Sequence, residues 1–462
     1  MTEEKRTVAV VGSGLAGLVT AYLLHNDPQQ RYQVRLLEQR NQFSLSSESI
    51  SIPSPDDKKV VWADVPMRAF AGGFYSNLIR MYDYLGVRYR PQPFLFSFSR
   101  LPRRGAVAKG QSVWPHMTHA SNFHQIPPVP VKMGLVEWIV EVIYVIFWYL
   151  WFSICCHLVP PYDESSSSPC ESLEKYLRRI YVPQRYTADY LLPLMSSVCT
   201  CSHQDLLNFP ASDVLAYKRR THRQPHYVVD DGVQSVQGKL ARGVDVRFGI
   251  NITHVVPGSN GVQLRWLDSK SGEEKAEVFD IAVLAISPDV IASIFEPLKS
   301  TLSKVPMTTV ETVAHTDRST VSPLYGTIVE NTFVPRNPSL SHQSAQNIHF
   351  RSNDETTEAV HEQPNSVIVT TNPLTPIDPS KIIRSAKFPR VLRSPESRRI
   401  INDIFRDDGR VSSGSKASWR NGDGGVYLAG GWCWDGMVLL EGCVVSAMRV
   451  ASSLGVEVPW AE

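Results

Sequence analysis

Three glycines near the amino terminus have the spacing of a phosphate-binding turn. Gly12, Gly14 and Gly17 follow the short β-branched run Val8–Val11, and the apolar pattern then continues as a helix through Leu24. The first glycine permits a tight turn, the second lets a pyrophosphate approach the backbone, and the third lets the helix pack closely on the strand. The helix N-terminus adds free N–H groups and a positive dipole end. The residues between the glycines belong to the same candidate site: Ser13, Leu15 and Ala16.

A second predicted strand, Gln33–Leu37, ends at an acidic residue. Glu38 is placed to accept hydrogen bonds from ribose hydroxyls. Gln39 and Arg40 follow directly and are candidate cofactor contacts. Strand, glycine turn, helix, strand and acid in this order predict a dinucleotide-binding α/β unit of the Rossmann type. The unit by itself does not choose between NAD and FAD.

The carboxyl-terminal segment makes that choice. Residues 425–447 read GVYLAGGWCWDGMVLLEGCVVSA, which predicts a strand at Val426–Ala429, a Gly-Gly turn and a helix that begins near Leu440. Together with the amino-terminal unit, the segment resembles the FAD-binding fold of the flavin-containing amine oxidase superfamily. The blocks WADVPMR at 62–68 and WCWDGM at 432–437 look closest to fungal members of its branch of predicted NAD/FAD-binding oxidoreductases.

The resemblance implies a set of contacts to FAD. Gly430 and Gly431 would touch the pyrophosphate, and the backbone N–H of Leu440 would face the pyrimidine edge of the flavin. Glu441 stands where the family keeps an acid, at a helix start that favours negative charge, so it either caps a helix or supports the flavin. Three further positions are implied: Met67 and Arg68 beside the flavin ring, with a core Met67 and a solvated Arg68 as the alternative, and Ile252, whose backbone would meet the adenine.

The sequence also departs from the family. Leu45 and Ser46 stand where a glycine pair is usual, and Leu439 replaces the aromatic residue before the last motif. The strand predicted within 306–317 has no lysine, although many flavin amine oxidases carry one there. The catalytic candidates are therefore Glu311 and His315 on that strand and Trp434 as an aromatic wall; a surface or core role is the alternative for each. Cys433 is a weaker candidate for a covalent flavin thioether.

Composition limits the remaining classes of function. The 462 residues carry a net charge of +2 and are 43% hydrophobic, which predicts a globular protein and argues against a nucleic-acid partner. The seven scattered cysteines form no C-x-x-C pair, so we expect no metal site and a reducing compartment. The first strand begins at Thr7 and leaves no room for a cleaved leader, which predicts a cytoplasmic protein.

The length predicts two intertwined domains. The fold class is α/β: a Rossmann-type, glutathione-reductase-like and amine-oxidase-like FAD-binding domain intertwined with an α+β substrate domain. We assign 1–100, 220–290 and 391–462 to the first domain, and 101–219 and 291–390 to the second. We expect a solvated face for the basic side chains of one short run, Arg390, Arg393 and Arg398.

An apolar segment at 135–159 interrupts the substrate domain. Val142–Val159 contains a single ionisable residue, His157, and is long enough to cross a membrane. A single crossing would separate Gly12 from Gly430, although both should hold one FAD. We therefore expect monotopic association with the cytosolic face of a membrane, with a buried core or dimer helix as the alternative.

These features predict an FAD-dependent oxidoreductase that removes hydride from a small or lipophilic metabolite, with molecular oxygen as the acceptor by analogy. Two alternatives stay open. The apolar segment would suit a membrane-associated lipid or terpenoid desaturase, and the missing lysine and glycine pair would suit a flavin-binding protein without turnover.

Overall fold

The structure is a computed structural model. It describes residues 4–53, 60–102, 113–130, 132–162, 170–268, 272–321, 345–363, 366–405 and 419–461. Short β-branched runs form its strands and apolar runs at helical spacing form its helices. The helices of seven or more residues are Leu15–His25, Ser76–Leu85, Leu135–Leu158, Leu173–Arg179, Leu192–Cys199, Ala211–Thr221, Gly232–Leu240, Pro288–Ile294, Pro395–Phe405 and Leu440–Ser453.

A five-stranded parallel sheet, here called the dinucleotide sheet, carries both terminal motifs. Its strands, in spatial order, are Asp245–Phe248, Tyr32–Glu38, Arg6–Val11, Ile281–Leu284 and Val426–Leu428. Helices Leu15–His25 and Leu440–Ser453 pack against each other beside this sheet. Because the carboxyl ends of parallel strands lie at one edge, the turns at Gly12 and Gly430 open at the same edge. The predicted α/β fold class is confirmed.

A seven-stranded sheet, here called the floor sheet, forms the second layer. In spatial order its strands are Ile382–Val391, Met307–His315, Ile368–Thr371, Thr357–Glu362, Gln346–Ser352, Phe94–Arg100 and Pro115–Ala120. Neighbouring strands are antiparallel except for the parallel pair Gln346–Ser352 and Phe94–Arg100. The segment 94–100, assigned from sequence to the first domain, thus hydrogen-bonds with strands assigned to the second. The exact domain limits stay a prediction.

Smaller sheets connect the two layers. Residues 250–279 form an antiparallel meander of Ile250–Gly258, Gly261–Asp268 and Glu274–Phe279, and Ile50–Pro53 pairs with Val60–Ala63 as a hairpin. Strand His226–Val229 pairs on one side with Phe70–Ala71 and on the other with Tyr89–Pro91. This last sheet brings the segment after the hairpin next to the floor sheet, where the pocket described below opens.

The apolar segment forms the helix Leu135–Leu158, here called the apolar helix. It has one buried face, formed by Glu141, Phe152, Cys155 and Cys156, and is otherwise largely exposed. Its most apolar window has a mean hydropathy of 2.0, and 22% of that window is buried. The helix is therefore not a buried core helix in the described part of the chain.

Candidate functional site

The glycine turn has the geometry that dinucleotide binding requires. Gly12 has a φ of +99°, and a Cβ there would lie 2.7 Å from the carbonyl oxygen of Ala285. A Cβ on Gly17 would lie 1.9 Å from the carbonyl oxygen of Gly12, so helix and strand meet without space for a side chain. Gly14 differs, because the nearest atom to a Cβ there is Ser44 Oγ at 4.0 Å. The open space beside Gly14, at the start of a helix, fits a pyrophosphate.

Glu38 lies beside this turn at the end of its strand. The carboxylate is 5% exposed, and one oxygen accepts hydrogen bonds from the N–H (2.9 Å) and the hydroxyl of Ser13. The other oxygen accepts from the Arg40 N–H at 2.9 Å. The Arg40 guanidinium itself turns to Ser47 and Glu48, both at 2.8 Å. Glu38 is therefore fixed at the ribose position of the fold, while the Arg40 side chain braces the following loop.

That loop has Leu45 and Ser46 in place of the expected glycine pair. The backbone N–H of Ser44 donates to Ser13 Oγ at 2.8 Å, and Ser46 Oγ donates to Gln237 at 2.8 Å. Leu45 is buried, and its carbonyl oxygen accepts from Arg68 Nη2 at 3.1 Å. The loop is thus closed by side-chain hydrogen bonds to the glycine turn and to Arg68.

The carboxyl-terminal motif reaches the same place. Gly431 lies so close to the last helix that a Cβ on Gly442 would be 2.5 Å from the Gly431 carbonyl oxygen. Cys443 Sγ contacts the backbone N–H groups of Gly431 and Ala16. Burial raises the pKa of that thiol to about 11, against the effect of Arg390, Arg68 and those N–H groups. The two predicted FAD motifs therefore converge around Cys443.

The first two residues of the last helix have different roles. Leu440 is its first residue, so its N–H lies in the turn that has no intrahelical acceptor. The Glu441 carboxylate accepts from the N–H and side-chain amide of Asn77, at 2.9 and 2.8 Å, and from the N–H of Leu78 at 3.0 Å. Burial raises the pKa of Glu441, although these hydrogen bonds oppose the shift. Glu441 therefore caps the helix Ser76–Leu85, rather than the helix on which it lies.

The segment after the hairpin supplies the unusual charges of the site. Arg68 Nε is buried and has no hydrogen-bond partner among the described residues. Burial lowers the pKa of Arg68, even though Asp64 and Tyr82 act in the opposite direction. Arg68 is half-buried, which disfavours the solvated alternative, and its contact with the flavin ring stays a prediction. An unpaired buried donor is costly, so this Nε fits an acceptor atom of a bound molecule.

Asp64 lies beside Arg68 and is half-buried like it. One of its oxygens accepts from Ser49 Oγ at 3.1 Å and from the Val233 N–H at 3.2 Å. Burial raises the pKa of the Asp64 carboxyl, whereas Arg68 and these two hydrogen bonds lower it. Sequence analysis included Asp64 only as part of the block at 62–68. Its signal is an acid that directly follows the strand Val60–Ala63.

Asp64 and Arg68 line an open pocket between the hairpin segment and the floor sheet. The other lining residues are Trp62, Met67, Arg90, Val228, Val229, Asp230, Gly232, Gln346, His361 and Gln363. His361 is held neutral, because burial lowers its pKa to about 3 and both ring nitrogens have amide partners, Gln346 at 2.8 Å and Gln363 at 2.6 Å. The side of the pocket at His361 can bind polar groups, but the His361 imidazole is a poor base.

The predicted catalytic residues lie elsewhere. Glu311 is on the partly exposed side of its strand, 3.5 Å from Lys387 Nζ. His315 is fully buried, bonded to Thr370 Oγ1 at 2.8 Å and to the Asp317 N–H at 3.2 Å, and burial lowers its pKa to about 4. Neither residue lines the pocket described above. Their catalytic roles stay predictions, and this geometry favours the surface and core alternatives.

The tryptophans of the last motif pack around its turn. Trp434 Nε1 donates to the Met437 carbonyl oxygen at 3.0 Å, and the ring lies 5.8 Å from that of Phe74. Cys433 is fully buried, which raises its pKa well above the ordinary value and disfavours a reactive thiolate. The aromatic-wall role of Trp434 and the adenine contact of Ile252, which is buried on its strand, stay predictions.

The buried side chain of Arg393 stabilises the turn of the last motif. Arg393 Nη2 donates to the carbonyl oxygens of Trp434 at 2.7 Å, Gly436 at 3.0 Å and Trp432 at 3.3 Å. Arg393 is 3% exposed, so the expectation of a solvated face was wrong for it. Its burial lowers its pKa, and the neighbouring Asp213 opposes that shift. The basic run is therefore part of the scaffold of the flavin motif.

Comparisons with known proteins agree with this geometry. Residues 10–85 match the family model of an NAD(P)-binding Rossmann-like domain, and residues 192–358 match that of flavin containing amine oxidoreductase. No curated protein matches the chain. Among solved structures, a fatty acid isomerase from P. acnes that produces CLA aligns with a TM-score of 0.58 at 11% identity. Cyclohexylamine oxidase from Brevibacterium oxydans IH-35A aligns with a TM-score of 0.56, also at 11% identity. Each alignment covers 98% of this chain and 99% of the other, which shows a shared fold.

The fold and the converging motifs define an FAD-dependent oxidoreductase that acts on a small molecule. Within that class, residues 10–85 form a Rossmann-like domain and residues 192–358 a flavin containing amine oxidoreductase domain, as the two family models describe them. The narrower placement in a fungal branch stays a prediction.

Proposed function

We propose that this oxidoreductase removes hydride from a C–H bond of a small or lipophilic metabolite and that Asp64 receives the accompanying proton. Bound FAD supplies the two-electron acceptor for such a reaction. The pocket that contains Asp64 and Arg68 is the observation that carries the proposal. It lies between the hairpin segment and the floor sheet, and it holds a carboxylate whose pKa is raised by burial.

The residues of the pocket have complementary roles in this proposal. Arg68 Nε donates to an acceptor atom of the flavin or the substrate. The ionised Asp64 takes a proton from an O–H or N–H group of the substrate, or from a neighbouring C–H group. At the same time the adjacent C–H bond breaks, and its hydrogen leaves with the electron pair as hydride. Arg90 pairs with Asp230 at 2.8 Å, so both charges of that pair are already compensated. His361 and its two amide partners orient polar substrate atoms without taking a proton.

The first experiment is the absorbance spectrum of the purified protein, followed by anaerobic mixing with primary amines, alcohols and fatty acids. Bleaching of the flavin band by one of these classes identifies the donor and supports the proposal. Loss of the flavin to the supernatant on acid precipitation would establish a non-covalent cofactor. A bound flavin that none of the three classes reduces would favour a flavin-binding protein without turnover.

Asp64→Asn tests the proton acceptor. The amide still accepts from Ser49 and Val233, so the fold should persist, while we expect flavin reduction to slow by about 100-fold or more. The wild-type rate should rise with pH as Asp64 ionises, and the variant should lose that limb. Asp230→Asn is the matched control, because it lines the same pocket but should leave the rate nearly unchanged. An Asp64→Asn variant with wild-type rate and pH profile would contradict the assignment.

We further propose that molecular oxygen accepts the electrons and that the protein works in the cytoplasm. Oxygen consumption with an identified donor tests the acceptor. The exposed apolar helix favours a second candidate, desaturation of a lipid or terpenoid, in which Asp64 takes a proton from the carbon next to the hydride donor. Full retention of activity on soluble amines, with none on lipids in vesicles, would eliminate it.

A further inference from the structure

One face of the apolar helix forms a continuous exposed surface. Its central side chains, here called the apolar stripe, are Ile139, Ile143, Ile146, Phe147, Leu150 and Ile154, and they are between 44% and 62% exposed. They recur at intervals of three and four residues, so they lie along one side of the helix. The charged or ionisable positions of the exposed surface, Glu137 and His157, lie at its ends. So large an apolar surface marks an interaction site.

The opposite face is attached to the protein along its length. Near the amino-terminal end, Glu141 accepts hydrogen bonds from Arg185 and Tyr190. Near the carboxyl-terminal end, the Tyr176 hydroxyl lies 2.9 Å from the carbonyl oxygens of both Cys155 and Val159, and Phe152 is buried beneath. A helix held at both ends cannot turn away to cross a bilayer, although at roughly 36 Å it is long enough.

Basic side chains lie on the helix that packs beside the apolar helix. Lys218, Arg219, Arg220 and Arg223, here called the basic cluster, lie at the end of the helix Ala211–Thr221, which packs on the apolar helix. Lys218 Nζ lies 4.2 Å from the ring centre of Tyr149 and donates to its hydroxyl at 2.9 Å. Arg219 Nη1 donates to the Cys156 carbonyl oxygen at 3.2 Å. Cations beside an apolar helix face suit a surface of anionic headgroups over hydrocarbon.

We propose that the apolar stripe enters one leaflet of an anionic membrane, with the apolar helix parallel to the membrane plane and the basic cluster at the headgroups. A symmetric dimer through the stripe is less compatible with these charges, because it would bring two copies of the basic cluster to one interface. The aromatic side chains Tyr144, Trp148, Tyr149 and Trp151 lie along the same helix and suit the headgroup boundary. The proposal does not depend on turnover.

Flotation with vesicles of phosphatidylcholine and phosphatidylserine tests the stripe. The triple variant Ile143→Gln, Phe147→Gln, Leu150→Gln should bind at least about a hundredfold more weakly, because each large apolar side chain moved into hydrocarbon contributes roughly tenfold. The matched control changes equally exposed apolar residues on the meander: Val256→Gln, Leu267→Gln and Val278→Gln. The control should bind like wild type. Flavin absorbance and circular dichroism verify the fold of each variant.

A second variant tests the charges. Arg220→Gln with Arg223→Gln changes two exposed members of the basic cluster, and binding to the anionic vesicles should fall by roughly 30-fold, since each cation near such a surface contributes about 1 kcal/mol. Binding to vesicles of phosphatidylcholine alone should be weak and should not change further.

Sedimentation in detergent-free buffer tests whether a second copy of the chain covers the stripe instead of a membrane. A wild-type dimer that the stripe variant converts to a monomer, together with no flotation of wild type, would show that a second copy covers the stripe and would overturn the proposal. Equal flotation of wild type and the stripe variant would overturn it as well. These outcomes are independent of flavin reduction, so failure of the redox proposal leaves this one intact.

Discussion

Two glycines of the same turn have different reasons to be glycine. Gly17 is required by packing, because its Cβ would overlap the Gly12 carbonyl oxygen at 1.9 Å. Gly14 has free space and a φ of −67° with a ψ of 176°, which any residue adopts. The protein alone would accept a side chain at Gly14, so the absence of one there is explained by the ligand.

Substitution separates these two roles. Gly14→Val should yield a folded protein that retains no FAD, because the side chain occupies the place of the pyrophosphate. Gly17→Val should fail to fold, or unfold at much lower temperature. Absorbance of the purified proteins and thermal unfolding by circular dichroism measure both effects. Folded Gly14→Val with full flavin absorbance would place the cofactor elsewhere.

At this scale the sequence predicted backbone positions better than side-chain chemistry. The glycines, Glu38 and the Gly430 turn lie together because strand order and spacing constrain them. Asp64 was missed as a candidate, since its raised pKa arises from burial between elements distant in sequence. Glu311 and His315 were read from one strand in isolation, and only the neighbouring strands determine that one faces Lys387 and the other Thr370.

At the scale of elements, the turn 430–436 depends on a residue outside its own motif. Arg393 precedes the helix Pro395–Phe405 and binds three carbonyl oxygens of the turn from inside the protein. The sequence showed only a basic run, because the number of carbonyl acceptors around a side chain is a property of the folded turn. Similarly, Glu441 was expected to serve its own helix but caps Ser76–Leu85.

Arg393→Leu should therefore destabilise the protein and loosen FAD. Three carbonyl oxygens and the buried Asp213 lose a partner, and removal of one member of a buried charge pair typically costs about 3–5 kcal/mol. We expect a lower free energy of unfolding in urea and faster release of flavin on dilution. Arg88→Gln, which removes an exposed ion pair with Asp231, should leave the stability nearly unchanged. Equal effects of the two variants would refute a special role for Arg393.

At the scale of the whole molecule, the interleaving of the two layers follows from the chain order. The dinucleotide sheet takes strands from residues 6–11 to 426–428, and the floor sheet takes its strands from the intervals between them. The fold class was predictable because both ends carry recognisable motifs. The order of strands in the floor sheet was not, since its pairings join segments more than 200 residues apart, such as Phe94–Arg100 with Gln346–Ser352.

This interleaving buries several histidines in and around the floor sheet, with a consequence for acid stability. Burial lowers the pKa values of His119, His226 and His315 to about 4 and that of His361 to about 3. In the unfolded chain their pKa values return to about 6.5. Because the folded values are depressed, the stabilising contribution is complete above about pH 6.5 and is lost as the pH falls toward 4.

Urea unfolding at a series of pH values between about 7 and about 5 should show a free energy of unfolding that falls steeply with acid. His226→Phe removes one of these titrating side chains and keeps an aromatic ring against Phe94. The rings of Phe94 and His226 lie 5.6 Å apart. The variant should show a slope that is shallower by up to about 1.4 kcal/mol per pH unit, because the unfolded chain takes up one proton fewer. His254→Gln, at an exposed position of the meander, should keep the wild-type slope. If His226→Phe and His254→Gln had the same slope, His226 would bind its proton equally in the folded and the unfolded chain and would not contribute to the acid sensitivity.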